Sequence, residues 1–259
     1  MISYCIASYR PAYCRQLIHQ LVEKTTAPYE ILVWINMLDE EFEQFLSEQQ
    51  EAGAPLRIVG RTPENIGMAA YPMLFAAAKF EMVVQIDDDV VYLSPFIAER
   101  AQEVLDRFPQ VGMVTADVWQ DELTTGARPP MQRFREISRE FGLYDGPIDG
   151  WFAIYRRTAL RACGTLRPTR YHALGCEIKS RLSAMGQSGL LCTRLKVFHV
   201  TGPAYASYFG MLDFELAKYS SLGRQDVVSW YLGERPSLLP RDELALRVRQ
   251  IEENLAGTV

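Results

Sequence analysis

Short apolar runs alternate with stretches of helical period through the first half of the chain. Runs at 2–7, 29–35, 56–59 and 82–86 are rich in Ile, Val and Tyr and bounded by polar residues, which predicts buried strands. Between the first two, Leu17, Ile18, Leu21 and Val22 share one face of a helix over 13–24, and Pro11 suits its first turn. Asp39 is placed to cap a helix reaching about residue 50, with Phe42, Phe45 and Leu46 on one side. A third helix runs through Met73, Leu74, Ala77 and Ala78.

The second half is less regular. A helix is predicted from Pro95 to about residue 107, then a strand at 111–116. Residues 117–147 are polar and interrupted by Gly and Pro, which reads as a long functional loop. A strand at 148–155 leads through Arg156 and Arg157 into a short helix ending at Gly164. A helix at 173–185 and a last strand at 195–200 follow. The tail has helical patterns at 212–221 and at 241–255, where Leu244, Val248, Ile251 and Leu255 recur at helical spacing.

Strands alternating with helices predict an α/β fold with a mainly parallel central sheet flanked by helices, followed by a helical C-terminal tail. Ligands of such sheets bind at the carboxyl ends of the strands. Ser8, Asn36, Asn65 and the run Asp87-Asp88-Asp89 all fall at those ends.

A hydrophobic content of 48% in 259 residues is ample for one large core. The net charge of −5, without a long basic run, argues against nucleic acid as the main partner. The five cysteines include no CxxC pair, so reduced thiols are expected and a zinc site is not. No stretch reaches the ~18 apolar residues of a membrane span, and no charged segment precedes an apolar one at the start. A cytoplasmic protein is expected, with a place at the inner face of a membrane left open.

The three adjacent carboxylates carry the candidate chemistry. Buried and unpaired, they would repel one another at high cost, so a cation or water must reach them. In extended chain Asp87 and Asp89 point to one side and Asp88 to the other. Two carboxylates at a strand end, completed by phosphate oxygens, make a site for Mg²⁺ or Mn²⁺. A lone acidic triplet is more often a solvated turn, so the surrounding pattern decides.

The ordered set of features resembles the GT-A glycosyltransferases, most closely family 2, over roughly residues 2–203. Residues 6–11, Ile-Ala-Ser-Tyr-Arg-Pro, look like that family's first strand and turn, and residues 29–33 like its second strand. Asn65-Ile66-Gly67 before an alanine-rich helix resembles its Asn-x-Gly segment, and Asp87-Asp88-Asp89 its DxD motif. Gly150-Trp151 through Arg157 and Gly175-Cys176-Glu177 through Gly186 resemble its acceptor strand and acidic helix.

The resemblance implies sugar transfer from a nucleotide-diphosphate donor, with a UDP-sugar favoured, to an acceptor hydroxyl. It implies a 1–203 catalytic domain, with a nucleotide-sugar half over 1–92 and an acceptor half over 93–203. Residues 204–259 would be a helical extension packed on the same domain. Asp87, Asp89 and His199 would hold Mn²⁺ or Mg²⁺. Ser8, Tyr9, Asn36, Asn65, Gly67, Asp87 and Asp88 would bind the donor, and Gly150 and Trp151 the acceptor. Asn36 stands near where the family often has Asp, which leaves the base open. Glu177 is the first candidate base and Asp149 the second, because Gly175 occupies the family's usual base position. Inversion is expected, and a retaining reaction stays open. A saccharide, a lipid-linked sugar or another hydroxyl compound would be the acceptor. The aromatic residues after Gly202 leave peripheral membrane association and a homodimer open.

Two other classes compete. A sugar nucleotidyltransferase typically carries a glycine-rich loop after its first strand, but Ser8-Tyr9-Arg10-Pro11 has no glycine. A non-catalytic nucleotide-sugar-binding module would explain the altered acidic helix. No GxxxxGK[ST] phosphate loop is present.

Overall fold

The structure is a computed structural model that describes residues 1–124, 128–171, 173–234 and 239–257. Residues 125–127 of the expected long loop, Gly126 among them, lie outside the described residues.

The first half follows the apolar pattern closely. β1 (Ile2–Ser8), β2 (Tyr29–Asn36), β3 (Leu56–Thr62) and β4 (Met82–Ile86) alternate with α1 (Pro11–Lys24), α2 (Glu40–Glu51) and α3 (Tyr71–Ala77). Asp39 caps α2 by accepting from the Phe42 N–H at 2.7 Å. β1 pairs in parallel with β2 and β4, and β2 with β3. β1 is buried along nearly its whole length, as a central strand covered on both faces must be.

The second half departs from expectation. β5 (Val90–Leu93) follows the acidic triplet before α4 (Ile97–Arg107) and β6 (Val111–Val118). The stretch expected to be a plain loop contains β7 (Arg135–Ser138) and β8 (Leu143–Asp145), which pair antiparallel. After β9 (Phe152–Arg156), α5 (Arg157–Ala162) and α6 (Leu174–Ala184), the last strand β10 spans Ser188–His199, well beyond the expected 195–200.

All the strands join one sheet in the order β3-β2-β1-β4-β9-β6-β10-β8-β7, with β5 pairing β10. The expected mainly parallel sheet is therefore corrected to a mixed one. β9 lies antiparallel between β4 and β6, and β10 is antiparallel to both β5 and β8. Alternation with helices marked the parallel half, but it carried no information on strands that return without a crossover helix.

The tail forms α7 (Pro203–Tyr208), α8 (Leu212–Ser221), α9 (Gln225–Glu234) and α10 (Arg241–Ala256). Val248, Ile251 and Leu255 of α10 pack with Val91, Tyr92, Phe198 and Tyr205 in one buried cluster. This cluster joins the tail to β5 and β10, which border the acidic triplet. Among the described residues no helix is long and apolar enough to cross a membrane.

Candidate functional site

β1 and β4 run side by side in register, so the turn after Ser8 meets the end of β4. The Asp88 carboxylate closes this junction. One oxygen accepts from the backbone N–H groups of Tyr9 and Arg10, each at 2.6 Å. The other accepts from Arg10 Nε at 3.0 Å and Nη2 at 2.6 Å. Asp88 lines the same cleft as its neighbours, but its bonds make it the anchor of the first turn.

Asp87, Asp88 and Asp89 form a turn after β4, closed by the Val90 N–H donating to the Asp87 carbonyl at 3.1 Å, so the alternation expected of extended chain does not govern them. Asp89 Oδ1 lies 3.0 Å from His199 Nε2, and its Oδ2 lies 2.6 Å from Arg10 Nη1. His199 comes within reach because β5 and β10 pair antiparallel, setting His199 opposite Val90. The Val200 N–H then donates to the Asp89 carbonyl at 2.8 Å. Asp87, Asp89 and His199 offer ligand atoms within 4.8 Å of one another.

The electrostatics of this cluster are those of closely spaced, buried acids. Burial, reinforced by the neighbouring Asp89, pushes the Asp87 carboxyl up to about 7. Burial would raise Asp89 as well, but Arg10 and His199 overcome it and hold its carboxyl well below the usual range. Burial disfavours the His199 imidazolium, yet Asp89 and Asp87 outweigh it and raise its pKa. Asp87 Oδ1 and His199 Nδ1 are buried without a hydrogen-bond partner among the described residues. Two carboxylates and an imidazole, two of them with an orphaned atom, fit a divalent cation. The mixed oxygen and nitrogen set suits Mn²⁺ better than Mg²⁺.

Two clefts meet at this cluster. Tyr9, Asn36, Asn65 and Gly67 line the first, together with all three acids and His199, whereas Ser8 is buried just outside its lining. Asn36 Oδ1 accepts from the Ile66 N–H at 3.1 Å, which fixes the amide orientation. Its Nδ2 is buried without a hydrogen-bond partner among the described residues. Asn65 accepts from the Gly67 N–H at 2.8 Å. Gly67 has φ +54° and the Arg170 carbonyl sits against it, 2.0 Å from where a Cβ would stand, so only glycine fits.

The second cleft is lined by Gln85, Asp149, Gly150, Trp151 and Cys176, and it shares Met68, Asp87 and His199 with the first. Trp151 is pinned by its indole N–H, which donates to the Ala116 carbonyl at 2.7 Å, and it is 7% exposed. It forms part of the cleft wall. Asp149 Oδ1 accepts from the Gly150 N–H at 2.8 Å and the Cys176 N–H at 3.2 Å, the latter in the first turn of α6. A Cβ on Gly175 would lie 2.3 Å from the Gly150 nitrogen and 2.7 Å from Asp149 Oδ1. Thus the Asp149 carboxylate occupies the space that a side chain at 175 would need.

Glu177 is not brought to either cleft. It pairs with Arg181 one turn along α6, and that guanidinium also binds the carbonyls of Cys163 and Thr165. Of the two expected bases, only Asp149 shares a cleft with Asp87 and His199. Arg61 pairs with Glu43 at 2.7 Å, and Arg156 donates to the Val111 carbonyl at 3.0 Å.

The sequence reading missed Arg10, Arg170, Glu215 and Lys218, all of which line the first cleft. Arg10 sat in a turn with nothing to show that it would be buried. Glu215 and Lys218 stand three apart in the predicted helix at 212–221, a spacing that exposed helix pairs share.

The sequence profile of the family described as "Glycosyltransferase like family 2" matches residues 2–209. The chain belongs to this family. No curated protein sequence matches it. Among solved structures, this family member resembles a mannosyltransferase from Pyrobaculum calidifontis in complex with GDP-Man and Mn²⁺. Identity is 18%, TM-score 0.62, and coverage 80% of this chain and 59% of that one. It also resembles S. aureus TarS in complex with UDP-GlcNAc, at 14% identity and TM-score 0.58, covering 80% of this chain and 60% of that one. A mycobacterial protein matches at 16% identity and TM-score 0.56, covering 86% and 75%. At these identities the likeness shows the fold, which is GT-A-like. The chain spans about three-fifths of the length of the first two structures.

Proposed function

We propose that this chain is a metal-assisted glycosyltransferase that transfers a sugar from a nucleotide-diphosphate sugar to an acceptor hydroxyl with inversion. The observation that carries the reading is the meeting of two clefts at Asp87 and His199. The donor would lie in the cleft of Tyr9, Asn36 and Asn65, and the acceptor in the cleft of Asp149 and Gly150. Asp87, Asp89 and His199 would hold Mn²⁺ or Mg²⁺, which when bound neutralises charge gathering on the departing diphosphate. The donor of the Pyrobaculum relative carries guanine and that of TarS carries uracil. A UDP-sugar is favoured, with GDP-sugars next.

The residues present divide the remaining work. Asn36 Nδ2 meets a carbonyl on the base, and Asn65 and Gly67 shape the floor of the donor cleft. The acceptor oxygen attacks the anomeric carbon while the bond from that carbon to the diphosphate oxygen breaks. Asp149 takes the acceptor proton, through the oxygen not held by the Gly150 and Cys176 N–H groups. The nucleoside diphosphate leaves with the bonding electron pair.

Incubation with UDP- and GDP-sugars, Mn²⁺ and a panel of saccharide acceptors tests the reading. Release of nucleoside diphosphate that depends on Mn²⁺ and on Asp149 supports it. Tight binding without any release, even to water, would instead favour a nucleotide-sugar-binding module. That second reading draws on Gly175 standing where the family's base is usual.

A further inference from the structure

The family match ends at residue 209, but the donor cleft does not. Glu215, Lys218 and Tyr219, all on α8, form part of its lining. Helix α8 is seated against the motif rather than merely near it. Glu215 is buried and lies 2.5 Å from Arg10 Nη1, the same nitrogen that faces Asp89. Phe214 packs edge-on against Tyr9 at 5.6 Å between ring centroids, and Ser221 Oγ lies 3.3 Å from the Tyr171 hydroxyl on the opposite wall.

Arg10, Arg170 and Lys218 line the cleft, and the two of them that meet Glu215, Arg10 and Lys218, differ in availability. Each nitrogen of Arg10 already faces a carboxylate: Nε and Nη2 meet Asp88, and Nη1 meets Asp89 and Glu215. Its side chain is 8% exposed. Lys218 meets Glu215 at the long distance of 3.4 Å, and its side chain is 23% exposed. Its ammonium also lies 5.3 Å from the centre of the Tyr219 ring; an ammonium has three donors, so a long ion pair and a ring contact leave Lys218 able to bind an anion entering the cleft. A diphosphate bridged to Asp87 and Asp89 through a cation would bring that anion into this corner.

We propose that Lys218 is a direct contact of the donor diphosphate, and that the Arg10–Glu215 bridge holds α8 against the motif to deliver it. The donor site is therefore completed by the tail, outside the segment that defines the family. This rests on the donor cleft assigned above.

The test uses the full chain and two readouts. Calorimetry with UDP and GDP in the presence of Mn²⁺ compares wild type, Lys218→Met and Lys218→Arg, and Mn²⁺ alone is titrated by paramagnetic resonance. The expected result is a roughly tenfold or larger loss of diphosphate affinity in Lys218→Met, the scale of a charge-assisted hydrogen bond. Mn²⁺ affinity stays within about threefold, since Lys218 is not a ligand, and Lys218→Arg recovers most of the loss. Acylation mapping of wild type should show Lys218 protected by the nucleotide that binds. Diphosphate affinity equal to wild type in Lys218→Met, or unprotected Lys218 with nucleotide bound, overturns the inference and leaves the donor cleft standing. Failure of wild type to bind either nucleotide with Mn²⁺ overturns the donor cleft and this inference together.

Discussion

Arg10 Nη1 lies 2.6 Å from Asp89 Oδ2, so the last acid of the triplet has a cation of its own before any metal binds. Arg10 also serves Asp88 and Glu215, and it is the charge that lets these carboxylates stay buried together. Arg10→Met should remove that charge and leave the carboxylates uncompensated. A loss of about 3–5 kcal/mol is expected, as for other broken buried pairs. Thermal melting checks it, and added Mn²⁺ should raise the variant's melting temperature more than that of wild type.

Metal binding should depend on Asp89 and His199 to different degrees. Asp89→Ala removes a charged ligand and should abolish Mn²⁺-dependent nucleotide binding. His199→Ala removes a neutral one and should weaken Mn²⁺ by roughly ten- to a hundredfold. Titration of Mn²⁺ with UDP or GDP present reads both.

The affinity for Mn²⁺ should rise with pH. Asp87 in the metal-free protein is pushed up to about 7 by burial and by Asp89, and His199 is raised above its usual value by its two acidic neighbours. Both must lose a proton to bind a metal, so protons compete with the metal below these values and cease to compete above them. The gain in melting temperature on adding Mn²⁺ should therefore be small near about pH 5.5 and large near about pH 8. A gain that is flat or falls with pH would show that Asp87 is not a ligand.

Asp149 and Glu177 should separate cleanly. Asp149→Asn keeps the shape of the acceptor cleft but cannot take a proton. Transfer should fall by about a hundredfold or more with nucleotide affinity unchanged. Glu177→Gln should retain most transfer, because Glu177 is turned to Arg181. Product formation under saturating donor distinguishes the two variants.

Gly175→Ala should be destabilising despite the helical position, where alanine is normally the better residue. Its Cβ would stand 2.3 Å from a backbone nitrogen, which cannot move aside as a flexible side chain would. Melting temperature and transfer should fall together, because the displaced residues are Asp149 and Gly150.

Where the sequence was informative, it was so through local pattern. The apolar runs at 2–7, 29–35 and 82–86 located three parallel strands, and the end of the last run located the acidic triplet, which turns rather than continuing the extended alternation. His199 could be placed only by resemblance, because its approach to Asp89 depends on β5, four residues that read as the lead-in to a helix. The antiparallel insertion of β9 was equally hidden, since a buried strand looks the same in either direction. Arg10, Glu215 and Lys218 were illegible for a different reason. Their meaning comes from a contact across more than two hundred positions, which no local spacing reports.

The two clefts have Met68, Asp87 and His199 in common, and otherwise their walls come from different stretches of chain. This partition makes the molecule suitable for redesign. With the acceptor in the second cleft as proposed, varying Pro129, Pro147 and Cys176 should change the acceptor range and leave the wall formed by Tyr9, Asn36 and α8 in place. An altered acceptor range could then be selected with the original donor retained as a constant.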